Sequence, residues 1–477
     1  MAKTLKIILG VFGGLIALLV VATLALFLFV DAGAYKPQLE AIGSRALGMD
    51  VHVEGQVDMG LFKGLNFTLE NVRVVNRDSE VAAIAEVRAG IEILPLLKNE
   101  VRLRKVALIQ PRIHIERDVD GVFNFEKTKT DKPDRIEQVL EFSNVSLANA
   151  SLHFTDRHSG LEFAAKDCSL ELDHLRRATG QRADLLKNLS LTAELACGEF
   201  SANDVTATDL TLSVQGQDGI FDVDPIRMDL FGAQGSGSLH GDFAGEDPLY
   251  SVRYSLPQFQ IEEFFKTLSA EQAAEGLLDF SANLSMQGNT LPQLKQTAEG
   301  KILLEGENLT LTGIDLDGVF SRFESSQNFN LIDVGAFFFA GPLGLAVTKG
   351  YNFARIFQGS GGRTDIQTVI SEWQIQGGVA NAADVAMATN ENRVALQGEL
   401  DFVNNQFNDV IIALIDGQGC AMVQQRIHGS FREPVVDQPS FLKTLAGPAI
   451  ELFEKARSLF PGGECEVFYT GSVAAPN

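Results

Sequence analysis

Side chains that join a ring to a hydrogen-bonding handle are scarce in this 477-residue chain, which has 1 Trp and 5 Tyr against 33 Phe. Most of its rings are dry and suit apolar surroundings. Cations are short too: 39 Lys and Arg face 62 Asp and Glu, and a net charge of −23 has the wrong sign for binding a phosphate backbone through counterion release. Nucleic acid is excluded as a main partner. The sequence contains no HExxH, no GxSxG, no Walker A and no phosphate-cradling GxGxxG opening a helix, so it is read as a non-enzyme without a cofactor. The 7 His are scattered, and His153 with His158 flank a predicted turn, which favours a solvated hairpin over a metal site. Asp118, Asp120 and Gly121 lack the downstream ligand spacing of a calcium loop and read as an Asp-Gly turn.

What is present begins with a long apolar run. Residues 7–30 form 24 positions without a charge, about 36 Å of helix against a hydrocarbon core of about 30 Å. Lys3 and Lys6 precede the run and Asp31 follows it, so the positive-inside rule keeps the N-terminus cytoplasmic and sends the body across the membrane. A cleaved signal peptide ending at Ala32-Gly33-Ala34 is the rival, although the run exceeds the usual signal core. Cys168, Cys197, Cys420 and Cys465 fall into two sequence-local pairs. In an oxidising compartment the pairs Cys168 with Cys197 and Cys420 with Cys465 are the natural disulfides, four buried thiols being the alternative. No CxxC supports a zinc ribbon or a redox site.

The body alternates with period two: Val51, Val53; Leu65, Phe67, Leu69; Val87, Ala89, Ile91, Ile93; Ile113, Ile115; Leu152, Phe154. Asp120-Gly121, Ser159-Gly160, Asp218-Gly219 and Asp317-Gly318 supply hairpin signals. In residues 69–74 and 146–154 the apolar parity switches at an Asn, Asn71 and Asn149, which predicts a bulge or bend and a sheet that coils. Glycosylation at the six Asn-x-Ser/Thr triplets is the weaker reading, since polar-alternating strands generate them freely. Helical patterns are few: Lys36 to Leu47 with Gly48 as its left-handed cap, Ile261 to Ala274, Leu291 to Thr297, the Phe-rich region from Phe329, and an amphipathic terminal helix over Ser440 to Phe460. So small a supply leaves two outcomes for the apolar faces. Either they close on each other as a sandwich, or they curl into a trough lined for something other than protein.

Val101 to Glu126, VRLRKVALIQPRIHIERDVDGVFNFE, is similar to the N-terminal signature of the AsmA family, and residues 36–76 to the segment that follows its membrane anchor. Thr297 to Phe320, Ala395 to Phe407 and Arg426 to Val436 look like its C-terminal domain. The resemblance implies a mainly β protein: an elongated, curled antiparallel β-groove with an N-terminal transmembrane helix and a few short capping helices. The expected division is 1–34 cytoplasmic stub and anchor, 35–135 N-terminal-like β domain, 136–290 middle groove, and 291–477 C-terminal-like β domain. The resemblance further implies an inner-membrane anchor, a periplasmic body, and a role in phospholipid transport or outer-membrane upkeep.

On this reading the acyl-chain contacts lining the groove are Leu65, Phe67, Leu69, Ile91, Ile93, Ile113, Ile115, Leu152, Phe154, Leu309 and Leu311, each of which could equally be ordinary core. Phe337, Phe338 and Phe339, ahead of Gly341-Pro342, form a candidate contact with a bilayer or partner, or else an end cap. The expected partners are a phospholipid or other acyl-chain lipid, the inner membrane through residues 7–30, and an outer-membrane or periplasmic protein. The alternative function is an envelope scaffold or assembly factor for outer-membrane proteins with a closed β core. An anchored hydrolase would need a clustered nucleophile and base that the sequence does not display.

Overall fold

The computed structural model describes residues 32–60, 65–77, 79–91, 103–126, 142–157, 160–177, 187, 189–203, 205–267, 274–313, 315–318, 338, 362–441 and 467–476. The apolar run 7–30 lies outside them, and among the described residues no helix is long and apolar enough to cross a membrane. The chain divides into two compact units, Met1–Leu175 and Arg176–Asn477.

In the first unit a 3-10 turn, Ala32–Tyr35, leads into α1 (Lys36–Leu47), which Gly48 ends at φ 68 with its N–H on the Ser44 carbonyl, as its sequence predicts. Seven strands follow: β1 (Asp50–Val53), β2 (Val57–Gly60), β3 (Leu65–Asn76), β4 (Ser79–Ile91), β5 (Leu103–Arg117), β6 (Phe142–Asp156) and β7 (Leu161–Arg177). Both β1 and β2 pair with β3, splitting that edge into two short pieces. One pair departs from the expected antiparallel order, because β5 and β6 run parallel. Parallel neighbours need a long connection, and the segment 118–141 between them supplies it.

The second unit runs through β8 (Leu189–Ala202), β9 (Val205–Gln217), β10 (Ile220–Leu230), β11 (Ala233–Asp242) and β12 (Leu249–Gln260) to α2 (Ile261–Thr267). There follow β13 (Ala274–Glu275), β14 (Leu277–Gln287), α3 (Leu291–Gln296), β15 (Glu299–Thr312), β16 (Arg363–Gln376), β17 (Val379–Thr389), β18 (Arg393–Asp401), β19 (Gln406–Ile415), β20 (Ala421–Ser430), β21 (Pro434–Val436) and β22 (Ser440–Phe441). The strand pairings among the described residues of this unit are antiparallel, and β21 and β22 share the edge of β20.

Several expectations need correction. Ala274 belongs to β13 and not to the helix before it, which stops being described at Thr267. Ser440 and Phe441 pair with β20 as strand, so no helix begins at Ser440, and residues 442–466 lie outside the described residues. Asp317-Gly318 sits in a helical turn, where the Asp317 carboxylate accepts from Asn392 Nδ2 at 2.7 Å, and makes no hairpin. Asp218-Gly219, by contrast, does turn β9 into β10, with φ 50 and 87. Cys168, Cys197 and Cys420 are each in a disulfide, and none of the described cysteines is a free thiol.

The parity switches have a common backbone cause. Asn71, Gln110, Asn149 and Asp167 in the first unit, and Asp209, Gln258, Asn308 and Asp409 in the second, lie inside strands at φ between 49 and 55. One left-handed residue rotates the chain so that the next residues present the opposite parity to the same face. In β3 the inward residues pass from Phe67 and Leu69 to Val72 and Val74; in β15 they pass from Ile302 and Leu304 to Leu309 and Leu311. The Asn side chains of the family-like cassettes thus mark kinks, and Asn and Asp tolerate this region where branched residues do not.

Asn149→Val should therefore lower unfolding free energy by about 1–2 kcal/mol, whereas Asn149→Gly should change it little, as read by urea titration.

Candidate functional site

The kinks of the first unit stand in line. Ile84 and Glu86 of β4 pair with Pro111 and Ile109 of β5, which puts Gln110 beside Ala85; Val72 and Glu70 pair with the same Ile84 and Glu86, which puts Asn71 on its other side. Across the parallel pair, Ile109 faces Ala148 and Arg112 faces Ser151, so Gln110 and Asn149 are opposite each other. From β3 to β6 the register passes through this line unbroken, between β6 and β7 it shifts locally at Ala150, and the sheet creases along it.

Because the parity changes together, one face stays apolar on both sides of the crease. Its rows, taken from the register, include Phe67, Ala89, Val106 and Val145 on one side, and Ala82, Ile113, Leu152 and Ala165 on the other. Ile115 pairs with Phe154, and Phe154 with Phe163. No charged residue interrupts these rows until the strand ends. There Arg117 and Asp156 pair at 3.3 Å, and the guanidinium lies 5.5 Å from the centre of the Phe123 ring.

Cover on this face is uneven. Val51, Val53 and Val57 continue the face beside β3 and, with Leu39 of α1, cluster with Phe67, Val72, Val74 and Ile84, a cluster that extends on β5 only to Leu108. Ile113, Ile115, Leu152 and Phe154 lie beyond it and are half-buried. Of the residues proposed as groove lining, the structure therefore gathers Phe67, Leu69, Ile113, Ile115, Leu152 and Phe154 on one face. Leu65 and Ile91 are direct partners in the same ladder, and Ile93 lies outside the described residues.

The second unit repeats the apolar row in its first strands: Leu195, Leu212, Ile226, Gly237, Tyr254 and Ala282 follow one another across β8 to β14. Glycine is required on β11, where a Cβ on Gly235 would fall 2.0 Å from the Tyr254 hydroxyl. That hydroxyl is buried and has no hydrogen-bond partner among the described residues, and burial pushes its pKa up to about 12, so it stays neutral at physiological pH.

Farther along, the face closes. Ile261, Phe264 and Phe265 of α2 plug a core with Phe231, Phe259 and Leu256, and the same core takes in Trp373 and the strands from β14 to β20. Leu309 at 1% exposure and Leu311 at 3% belong to it, apart from the half-open face of the first unit. Phe338 is fully buried there as well, with its carbonyl accepting from Ser371 Oγ at 2.8 Å, so its ring has no surface to offer a membrane. Phe337 and Phe339 lie outside the described residues. The far side of β17–β19 is covered too: Tyr469 and Val473 of the chain's tail lie on Ala386, Ala388, Ala395 and Ala413, tied by the Tyr469 hydroxyl to Asp384 at 2.5 Å and by Arg393 to the Val473 carbonyl at 2.8 Å.

The kinks at Gln110 and Asp167 were missed by the sequence reading, although the change from Leu108 to Ile113 carries the same parity signal as Asn149. Among the described residues no three His, Cys, Asp or Glu side chains converge as metal ligands. What the arrangement offers chemically is apolar surface with a charged border.

The model of the AsmA family matches the chain over residues 1–179 and again over 161–334. No curated protein matches it.

If the two environments are distinct, Leu309→Ala should cost about 2–5 kcal/mol by chemical denaturation, and Ile113→Ala well under half of that, because only the first leaves a sealed cavity.

Proposed function

The chain belongs to the AsmA family, and from that premise we propose that it is an inner-membrane-anchored periplasmic protein that holds lipid acyl chains on its apolar sheet face and supports phospholipid transport or outer-membrane homeostasis. The observation that carries this reading is the half-buried row of Ile113, Ile115, Leu152 and Phe154, beyond the reach of the cluster under α1. An acyl chain buries about 0.8 kcal/mol per methylene when fully enclosed; laid against one face it gains about half, on the order of 5 kcal/mol over a dozen carbons. That is enough to retain a chain and small enough to let it slide along rows of similar side chains. The apolar run 7–30 serves as the anchor, with Lys3 and Lys6 on the cytoplasmic side. No covalent step is involved; the protein acts by binding.

A second reading, a scaffold for outer-membrane proteins, draws on the closed core around Trp373, Leu309 and Leu311. The two readings part on what touches the open face. A photo-crosslinker at Ile113 or Leu152 in the full chain, expressed in cells, should give lipid adducts, and one at Leu311 should give none because that position is sealed. Protein adducts alone at Ile113 and Leu152 would replace lipid carriage with the scaffold. Arg117→Ala should leave the lipid yield at Ile113 within about twofold, since a border ion pair adds little to apolar retention.

A further inference from the structure

The second unit contains a polar recess that plays no part in the apolar face. It occupies about 720 Å³ at the strand-end rim where β9 begins, β10 turns into β11 and α2 follows β12. Three of its lining residues form one ladder row, because Asp229 pairs with Thr208 on one side and with Gln234 on the other. Thr206 stands two residues along the same strand. From α2 come Glu263, Lys266 and Thr267. Phe231 and Ala233 line it as well and pack against the closed core, so the recess adjoins apolar structure.

Its charge and hydrogen-bonding balance are both one-sided. Two carboxylates, Asp229 and Glu263, stand against one ammonium, Lys266, whose Nζ is 2.5 Å from Glu263. Asp229 Oδ1 is shut away from solvent and accepts no hydrogen bond from any described group. A carboxylate oxygen in that state has lost its hydration with no donor in exchange. Around it the row is rich in acceptors: the hydroxyls of Thr206 and Thr208, the Gln234 amide, and Thr267 Oγ1, whose own proton goes to the Phe264 carbonyl at 2.7 Å. A missing positive charge among several acceptors describes the complement of a primary ammonium, which brings one charge and three donors and needs no donor for itself. A guanidinium requires a planar fork of paired acceptors, and a phosphate would meet the surplus carboxylate.

We infer that the recess is a binding site for a primary ammonium group, with Asp229 as the anchoring charge. The ammonium can come from the headgroup of an aminolipid whose chains lie on apolar surface, a source that rests on the lipid reading above, or from a small soluble amine, which does not.

The experiment uses the full chain in detergent micelles with two probes: ethylammonium chloride by isothermal titration, and vesicles of equal phosphatidylethanolamine and phosphatidylglycerol, followed by extraction of the retained lipid. Wild type should bind ethylammonium and retain the amino lipid severalfold over the glycerol lipid. Asp229→Asn should weaken ethylammonium about tenfold, the loss of one charge-assisted bond, and bring the lipid ratio to one with total lipid unchanged. Glu263→Gln, which leaves the strand row intact, should weaken both less. Ethylammonium binding that depends on Asp229, in a chain that retains no lipid, supports the site with a soluble amine as its source and removes the lipid reading. Lipid retained at a ratio that neither substitution moves, with no ethylammonium binding, overturns the ammonium site and leaves the lipid reading standing.

Discussion

A strand that takes one residue through φ near +50° must exchange which of its following side chains face the core, and a neighbour can stay paired through that point only by making the same exchange. Asn71, Gln110, Asn149 and Asp167 do this within one unit, and the ladder rows continue across them. Everything else about the apolar face follows from that constraint. If β5 alone lacked its kink, Ile113 and Ile115 would move to the polar side while Leu152 and Phe154 stayed inside, and the row would break at its centre. The kink residues are polar because they point away from the apolar side, and unbranched at Cβ because a branched Cβ clashes in this region.

The same strand grammar yields two different interiors. Around Ile113 and Leu152 the apolar row is left half-buried, whereas around Trp373 a plug of aromatic side chains from α2 and the return of the sheet complete the enclosure. The difference comes from what is set over the face and owes little to the composition of the strands themselves. Residues Ile302, Leu304, Leu309 and Leu311 alternate much as Ile113 and Ile115 do, yet they are sealed.

That is also why the sequence was legible only to a point. Alternation at Leu65 to Leu69 and Leu152 to Phe154 announced strands, Gly48 announced the end of α1, and Asn71 and Asn149 announced kinks. Alternation reports that a face is apolar and is silent about what covers it, so Leu309 and Leu311 were grouped with residues they do not accompany. Asp317-Gly318 resembled a hairpin turn because the dipeptide is local, while the hydrogen bond that fixes it comes from Asn392, far along the chain. The parallel pairing of β5 with β6 left no mark in either strand, since direction is decided by the connection between them. The recess at Asp229 left none either: its row is assembled from three strands and a short helix whose polar residues are each unremarkable in sequence.

The divided edges have a consequence for how such a molecule behaves among copies of itself. A ladder of long strands invites a second ladder to dock onto its outermost member, and a high local concentration of copies would give that docking every opportunity. Here one edge in each unit, at β3 in the first and β20 in the second, is flanked by a pair of fragments two to four residues long, β1 with β2 and β21 with β22, one fragment starting at Pro434. Fragments of that size offer too few unpaired amides in a row to template another chain, so growth by addition is disfavoured at these two edges.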